Sequence, residues 1–265
     1  MLSAIVGNVL AVGIGLSLGL IGGGGSILAV PILMYVLGLS PKTAIAMSLI
    51  VVGMVSVIGA IPHGRRGNVN LKIAAQFTPF AMVGAWGGSQ IAALPQVSEQ
   101  MQLLAFATVM VLASLLMIRK ESPPPIAPGL PAPEPIVPRS RPGLTWVATG
   151  CDLGLEAIGV GLVTGFVGVG GGFLIIPALV LVAGVAMEQA IGTSLVIIAI
   201  NSVTGFLGYL NQVTLDWGLV ATFTLAASSG TLAGASLSRR LRSDQLQKGF
   251  GYFVLAVAVM VLIKR

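Results

Sequence analysis

The chain writes one pattern twice. Gly15, Gly19, Gly22, Gly23, Gly24, Gly25 and Ser26, with Pro31 downstream, return as Gly161, Gly165, Gly168, Val169, Gly170, Gly171 and Gly172, with Pro177 downstream; every matched pair is 146 residues apart. Ala44, Ser48 and Leu49 return as Ala190, Ser194 and Leu195, and Gly84 and Gly88 as Gly230 and Gly234, at the same offset. A pattern repeated over nearly the whole length predicts two copies of one unit packed on each other. The copies fall at 1–120 and 144–265, separated by 121–143. In that separator nine of the 22 residues from 121 to 142 are proline, which predicts an extended linker rather than a folded domain.

What each copy can be is set by charge. Of 265 residues 55% are hydrophobic and only 8% charged, with mean hydropathy +1.00. A soluble domain could not cover its surface with so few charges, so the chain reads as a multi-pass membrane protein whose main partner is the lipid bilayer. The net charge of +6 does not argue for nucleic acid, because the basic residues flank apolar runs. The start of the chain has no basic region or cleavage site, so it is expected to stay as part of a helix.

The apolar runs predict an all-α fold of two units with five helical elements each. They cover 3–21, 27–39, 43–61, 71–94 and 99–118, then 152–167, 173–185, 187–210, 215–237 and 244–263. Eight are roughly long enough for a bilayer of about 30 Å, allowing for soft boundaries. The second and seventh, just after the glycine stretches, give only about 20 Å of helix. They are expected to be half-helices that re-enter or break within the membrane, with a tilted full span as the alternative.

The basic residues orient the units. Arg65, Arg66 and Lys72 sit in one loop of the first unit; Arg239, Arg240, Arg242 and Lys248 sit in a non-equivalent loop of the second. Placing both loops in the cytoplasm with Arg119, Lys120, Arg139 and Arg141 leaves only Lys42, Lys264 and Arg265 outside. The linker is then cytoplasmic, both termini are outside, and the second unit is inverted relative to the first.

Inverted repeats with interrupted helices characterise secondary transporters, whose ligands lie where half-helix ends meet. The free N–H groups of Gly22, Gly23, Gly24, Gly25, Gly168, Gly170, Gly171 and Gly172 at helix N-termini suit a small anion. Ser26, Ser48, Thr193, Ser194 and Asn201 are expected to add hydroxyl or amide contacts. The plainer reading is that these small residues only allow close helix packing. Asp152 and Glu156, four apart, are candidates for proton coupling, although acids in a first turn also complement the helix dipole. His63, beside Arg65 and Arg66, is expected at the membrane interface; Trp86 in packing or lipid contact; Gln76 and the single Cys151 carry little signal. One cysteine and one histidine predict neither a metal site nor a disulfide, and no nucleotide-binding loop or catalytic pair predicts an enzyme or a cofactor.

The doubled glycine stretch with its downstream proline, together with Ser48-Leu49 and Gly192-Thr193-Ser194-Leu195, resembles the TauE/SafE sulfite exporter family, also called the toluene-sulfonate uptake permeases. The resemblance covers the chain outside the linker. It implies a plasma-membrane transporter (inner membrane in a Gram-negative cell) for sulfite, organosulfonates or related sulfur anions. Ser26 stands where the second copy has Gly172, which makes the two half-sites chemically unequal. A non-transporting scaffold and a passive anion channel are the competing readings.

Overall fold

In a computed structural model the described residues are 2–92, 99–119, 150–167, 172–207, 213–238, 241 and 243–263. Among them the chain is all helix. The first unit holds α1 (Leu2–Ile21), α2 (Gly24–Tyr35), α3 (Pro41–Gly64), α4 (Leu71–Ala92) and α5 (Glu99–Arg119). The second holds α6 (Gly150–Val167), α7 (Gly172–Pro177), which runs into a π-helical turn over Ala178–Val182, then α8 (Met187–Leu207), α9 (Trp217–Leu237) and α10 (Ser243–Ile263). The linker lies outside the described residues.

Eight helices have 18 to 24 residues, whereas α2 has 12 and α7 with its π turn ends at Val182. Their outer faces are apolar. Leu71, Val83, Trp86, Leu155, Val203 and Leu225 each expose more than 60% of their surface, as a lipid-facing wall requires. Thr43–Gly64, Met187–Leu207 and Trp217–Leu237 have the length and apolar composition to cross a membrane. The protein is therefore an all-α, multi-pass membrane protein.

Two boundaries correct the sequence expectation. The helix expected over 27–39 starts three residues earlier, so Gly24, Gly25 and Ser26 form its first turn and only Gly22 and Gly23 remain in the break. The helix expected over 43–61 runs on through Pro62 and His63 to Gly64. An interior proline removes one backbone hydrogen bond without ending a helix held by its neighbours. Pro177 lies at the junction where α7 widens into the π turn, consistent with its missing N–H.

Equivalent positions of the two halves perform equivalent tasks. Gly38 and Gly184, 146 apart, both take positive φ (69° and 64°) at the ends of the short helices. Just beyond each, Leu39 N–H reaches Leu33 O at 3.2 Å and Val185 N–H reaches Leu179 O at 2.8 Å, closing both helix C-termini with the same bond to the sixth residue back. Asn70 and Asp216, also 146 apart, cap α4 and α9: Asn70 Oδ1 accepts from Lys72 N and Ile73 N, and Asp216 Oδ1 from Gly218 N and Leu219 N.

Packing follows the same rule, between halves rather than within them. Main partners are α1 with α9, α4 with α6, α3 with α8 and α5 with α10. On the α1–α9 seam, β-carbons added to Gly15, Gly19, Gly230 and Gly234 would meet the carbonyls of Ala227, Thr231, Val12 and Leu16. On the α4–α6 seam, Gly84, Gly88 and Gly161 meet those of Ile158, Leu162 and Ala81 in the same way. Small residues let helix backbones touch where lipid supplies no hydrophobic drive. Thr231 Oγ1 donates across the first seam to Gly15 O at 2.9 Å, and Gln247 Nε2 joins α10 to Met117 O of α5 at 2.9 Å. Along α3 and α8, Gly53 meets Ser202, Gly59 meets Leu195 and Gly205 meets Leu49. Rising numbers on one helix meet falling numbers on the other, so these two equivalent helices run antiparallel.

Candidate functional site

The α1 break enters the interior beside α8. Gly22 is buried with φ +85°, a conformation that suits glycine, and its N–H closes α1 on Leu18 O at 2.7 Å. A β-carbon there would lie 2.9 Å from Ser194 Oγ and 3.0 Å from Ile191 Cα. At Gly23 it would strike the carbonyl oxygen of Gly172 and approach Ile176 Cδ1 at 3.1 Å. The glycine stretches of the two halves thus touch, at the starts of α2 and α7. No side chain caps α2, whose N-cap is Gly23 itself. The N–H groups of its first turn have no partner within their own helix, which makes this end a place for acceptors.

A loop from the other side closes over the same stretch of α8. Asn68 O occupies the space a side chain on Gly192 would need, and His63 Cβ lies 3.1 Å from that position. Asn70 N–H donates to Thr193 Oγ1 at 3.0 Å, and Arg66 donates to Ala235 O in the last turn of α9 at 3.0 Å. Gly192, Thr193 and Ser194 consequently have three tasks: admitting the loop, bonding to it and facing the α1 break.

The structure brings Gly22, Gly23, Gly172 and Ser194 together, while the neighbouring Thr193 bonds to the loop at Asn70. Gly24 opens α2, and Gly25 packs inside the first half, where a β-carbon would lie 2.7 Å from Ile14 O. Asn201 is two turns along α8 from Ser194, with its Oδ1 buried and without a hydrogen-bond partner. The expected roles of Gly168, Gly170 and Gly171 lie outside the described residues, as do those of the Ser26 and Asp152 side chains. Glu156 is half-buried on α6.

The serines differ from what their type suggests. Ser194 Oγ donates to Ile191 O and Ser48 Oγ to Ile45 O, both at 2.8 Å. A hydroxyl has one proton, so each has given it to its own helix. With the Gly22 N–H bonded to Leu18 O, the N–H groups in the first turn of α2 are then the backbone donors an anion would meet.

His63 is the correction that matters most. Its place beside two arginines suggested the interface, but it is 2% exposed, and its ring nitrogens have no hydrogen bond beyond a marginal one to the backbone of Gly19. The extension of α3 by one turn carries it inward, where Gly19 of α1 lies alongside. The signal that could have found it was helical spacing, since His63 lies four residues past Gly59 on the face of α3 that also buries Val52 and Ser56.

Long apolar helices, two short ones that meet at Gly23 and Gly172, and a polar α8 segment facing Gly22 define a polytopic membrane protein. The chain matches the family described as Sulfite exporter TauE/SafE over residues 8–261 and belongs to it. A probable membrane transporter protein of Xylella fastidiosa (strain Temecula1 / ATCC 700964) is 33% identical over 252 residues, covering 94% of this chain and 91% of that protein. The probable membrane transporter protein YdhB of Bacillus subtilis (strain 168) is 22% identical over 254 residues, covering 94% and 96%. One from Haemophilus influenzae (strain ATCC 51907 / DSM 11121 / KW20 / Rd) is 24% identical over 268 residues, with 93% of each covered. No solved structure matches the chain.

Proposed function

We propose that the protein carries small sulfur-containing anions, such as sulfite or organosulfonates, across the plasma membrane by alternating access between its two halves. The observation that carries this reading is the contact of Gly23 with Gly172 beside Gly22 and Ser194. It joins both broken helices and offers backbone donors without a buried Lys or Arg, whose charge a membrane site can ill accommodate. We assign Gly24, Gly25, Ser26, Thr193 and Asn201 to this half of the site, and Ser48 with Gly168, Gly170 and Gly171 to the other, from their matched places in the two sequence repeats. Energy comes from a substrate or ion gradient; Asp152 and Glu156 are the candidates for carrying protons.

The orientation belongs to the same proposal. Arg66 bonded to Ala235 O brings the Arg65–Arg66 loop against the helix end that leads to Arg239, Arg240 and Arg242. That agrees with both basic loops, and the linker, being cytoplasmic and both termini outside. Cysteines at Ser140 and Gln212 in a Cys151→Ser background should therefore label from opposite sides. Labelling of both from one side by an impermeant reagent contradicts it.

The functional test is counterflow. Proteoliposomes loaded with unlabelled sulfite should accumulate labelled sulfite transiently, with sulfoacetate and thiosulfate tested alongside and each run repeated under a pH gradient. Equilibration without overshoot indicates a passive channel, and no flux for any of the three indicates a scaffold.

A further inference from the structure

Around the α1 break the polar side chains are largely committed. Ser194 has given its proton to Ile191 O, and Thr193 Oγ1 is taken as acceptor by Asn70 N–H. His63 differs. It comes from α3, is 2% exposed, and has at Nδ1 and Nε2 no hydrogen bond beyond a marginal one to the backbone of Gly19. Leaving a buried polar group unpaired costs about 1–3 kcal/mol, so an imidazole this poorly paired inside a bundle calls for a reason.

Its surroundings supply one. The ring lies beside Gly19, three residues before the break glycine Gly22, and the β-carbon of His63 lies beside Gly192, two residues before Ser194, which touches Gly22. A neutral imidazole carries one N–H donor and one acceptor in either tautomer. The charged group acting on it is Arg66, held nearby on Ala235 O. A positive neighbour disfavours a metal ion or an organic cation as partner of the open nitrogen and favours a negatively charged acceptor.

We propose that His63 donates a hydrogen bond to the oxyanion of the transported substrate, so that α3 joins α1 and α8 in forming the binding site. This rests on the anion-transport reading above and deepens it. The backbone N–H groups at the start of α2 accommodate any small anion, whereas a fixed imidazole N–H favours one whose oxygens can reach both. Oxyanions such as sulfite, with three oxygens on one centre, meet that requirement and a halide does not.

His63 is the only histidine in the chain, which permits a direct test. The protein, prepared without a polyhistidine tag and labelled with ¹⁵N in its histidine ring, shows one pair of imidazole signals in detergent. Titrating sulfite should move them, saturating at the dissociation constant found from sulfite-dependent thermal stabilisation, while chloride at equal ionic strength should not. His63→Leu should weaken sulfite binding about ten- to hundred-fold, as for a lost hydrogen bond to a charged group. Its ligand-free melting temperature should be unchanged or higher, and His63→Gln, which keeps an N–H, should bind closer to wild type. Unmoved imidazole signals at saturating sulfite, or wild-type affinity in His63→Leu, overturn the proposal while leaving the transporter reading intact. If the wild-type protein gains no stability from sulfite, sulfoacetate or thiosulfate, the anion reading falls and this inference with it. Should His63→Leu fail to fold, the ring signals of the wild-type protein decide alone.

Discussion

The start of α8 and the start of α3 are the same segment used twice, and they have diverged. Ala190, Ile191, Ser194 and Leu195 repeat Ala44, Ile45, Ser48 and Leu49, but Gly192 and Thr193 replace Ala46 and Met47. In α8 the two changed residues receive a loop: Asn68 O fills the space above Gly192, and Asn70 N–H bonds Thr193. In α3, Ala46 and Met47 are simply buried among apolar neighbours. The serines keep the same back-bond in both places. Duplication therefore preserves the scaffold, while one end of the structure acquires a polar clasp that links the halves.

The largest effect should come from what the halves share. Gly88→Val and Gly234→Val each drive a side chain into a backbone carbonyl of the facing helix, Leu162 O or Leu16 O. Neither variant should yield monodisperse protein in detergent. Gly87 and Gly159 have open space around them, so Ala at either should purify and melt like wild type. Tolerance of Val at one seam but not the other breaks the equivalence of the halves.

Changes confined to the clasp should be smaller. Gly192→Ala displaces Asn68 and should destabilise by about 1–3 kcal/mol, as for overpacking, and it should expose a cysteine placed at Asn68 to faster labelling. The mirror change, Ala46→Gly, creates no opening for a loop and should lower stability by only about 1 kcal/mol through helix propensity. Thr193→Val keeps volume but removes the acceptor of Asn70 N–H, for a loss of about 0.5–1.5 kcal/mol. Equal responses of Gly192→Ala and Ala46→Gly in the labelling assay remove the clasp from the account.

The smallest effect belongs to the serines. Ser48→Ala and Ser194→Ala delete hydroxyls that already serve their own helices, so stability should change by no more than about 0.5 kcal/mol and sulfite affinity by less than about threefold. A tenfold loss in Ser194→Ala alone shows that its hydroxyl turns to the ligand when one binds, and makes the two ends of the site unequal in chemistry as well as in packing.

Most of the scaffold was legible because spacing is a property of sequence. The 146-residue offset announced which glycines would do equivalent work, and apolar run lengths separated long helices from short ones. The partners were not legible. Nothing in Gly15 or Gly161 says that α1 lies on α9 and α6 on α4, since glycine at a seam reads the same whichever carbonyl it meets. The site was legible in part. Gly22, Gly23, Gly172 and Ser194 were placed together by their motifs, whereas the spending of the serine protons depends on rotamers that residue type does not reveal. His63 was missed because its neighbours in sequence are charged while its neighbours in space are glycines.

The central claim is that a sulfur oxyanion rests where Gly23 meets Gly172. Selenite, the selenium analogue of sulfite, provides the direct measurement: crystals grown with it and recorded at the selenium edge give an anomalous peak at the bound anion. The account predicts one strong peak within hydrogen-bonding distance of the backbone N–H groups at the start of α2, between Gly23 and Gly172 and within reach of His63. A peak elsewhere in the bundle, or none at concentrations that compete for sulfite transport, contradicts it.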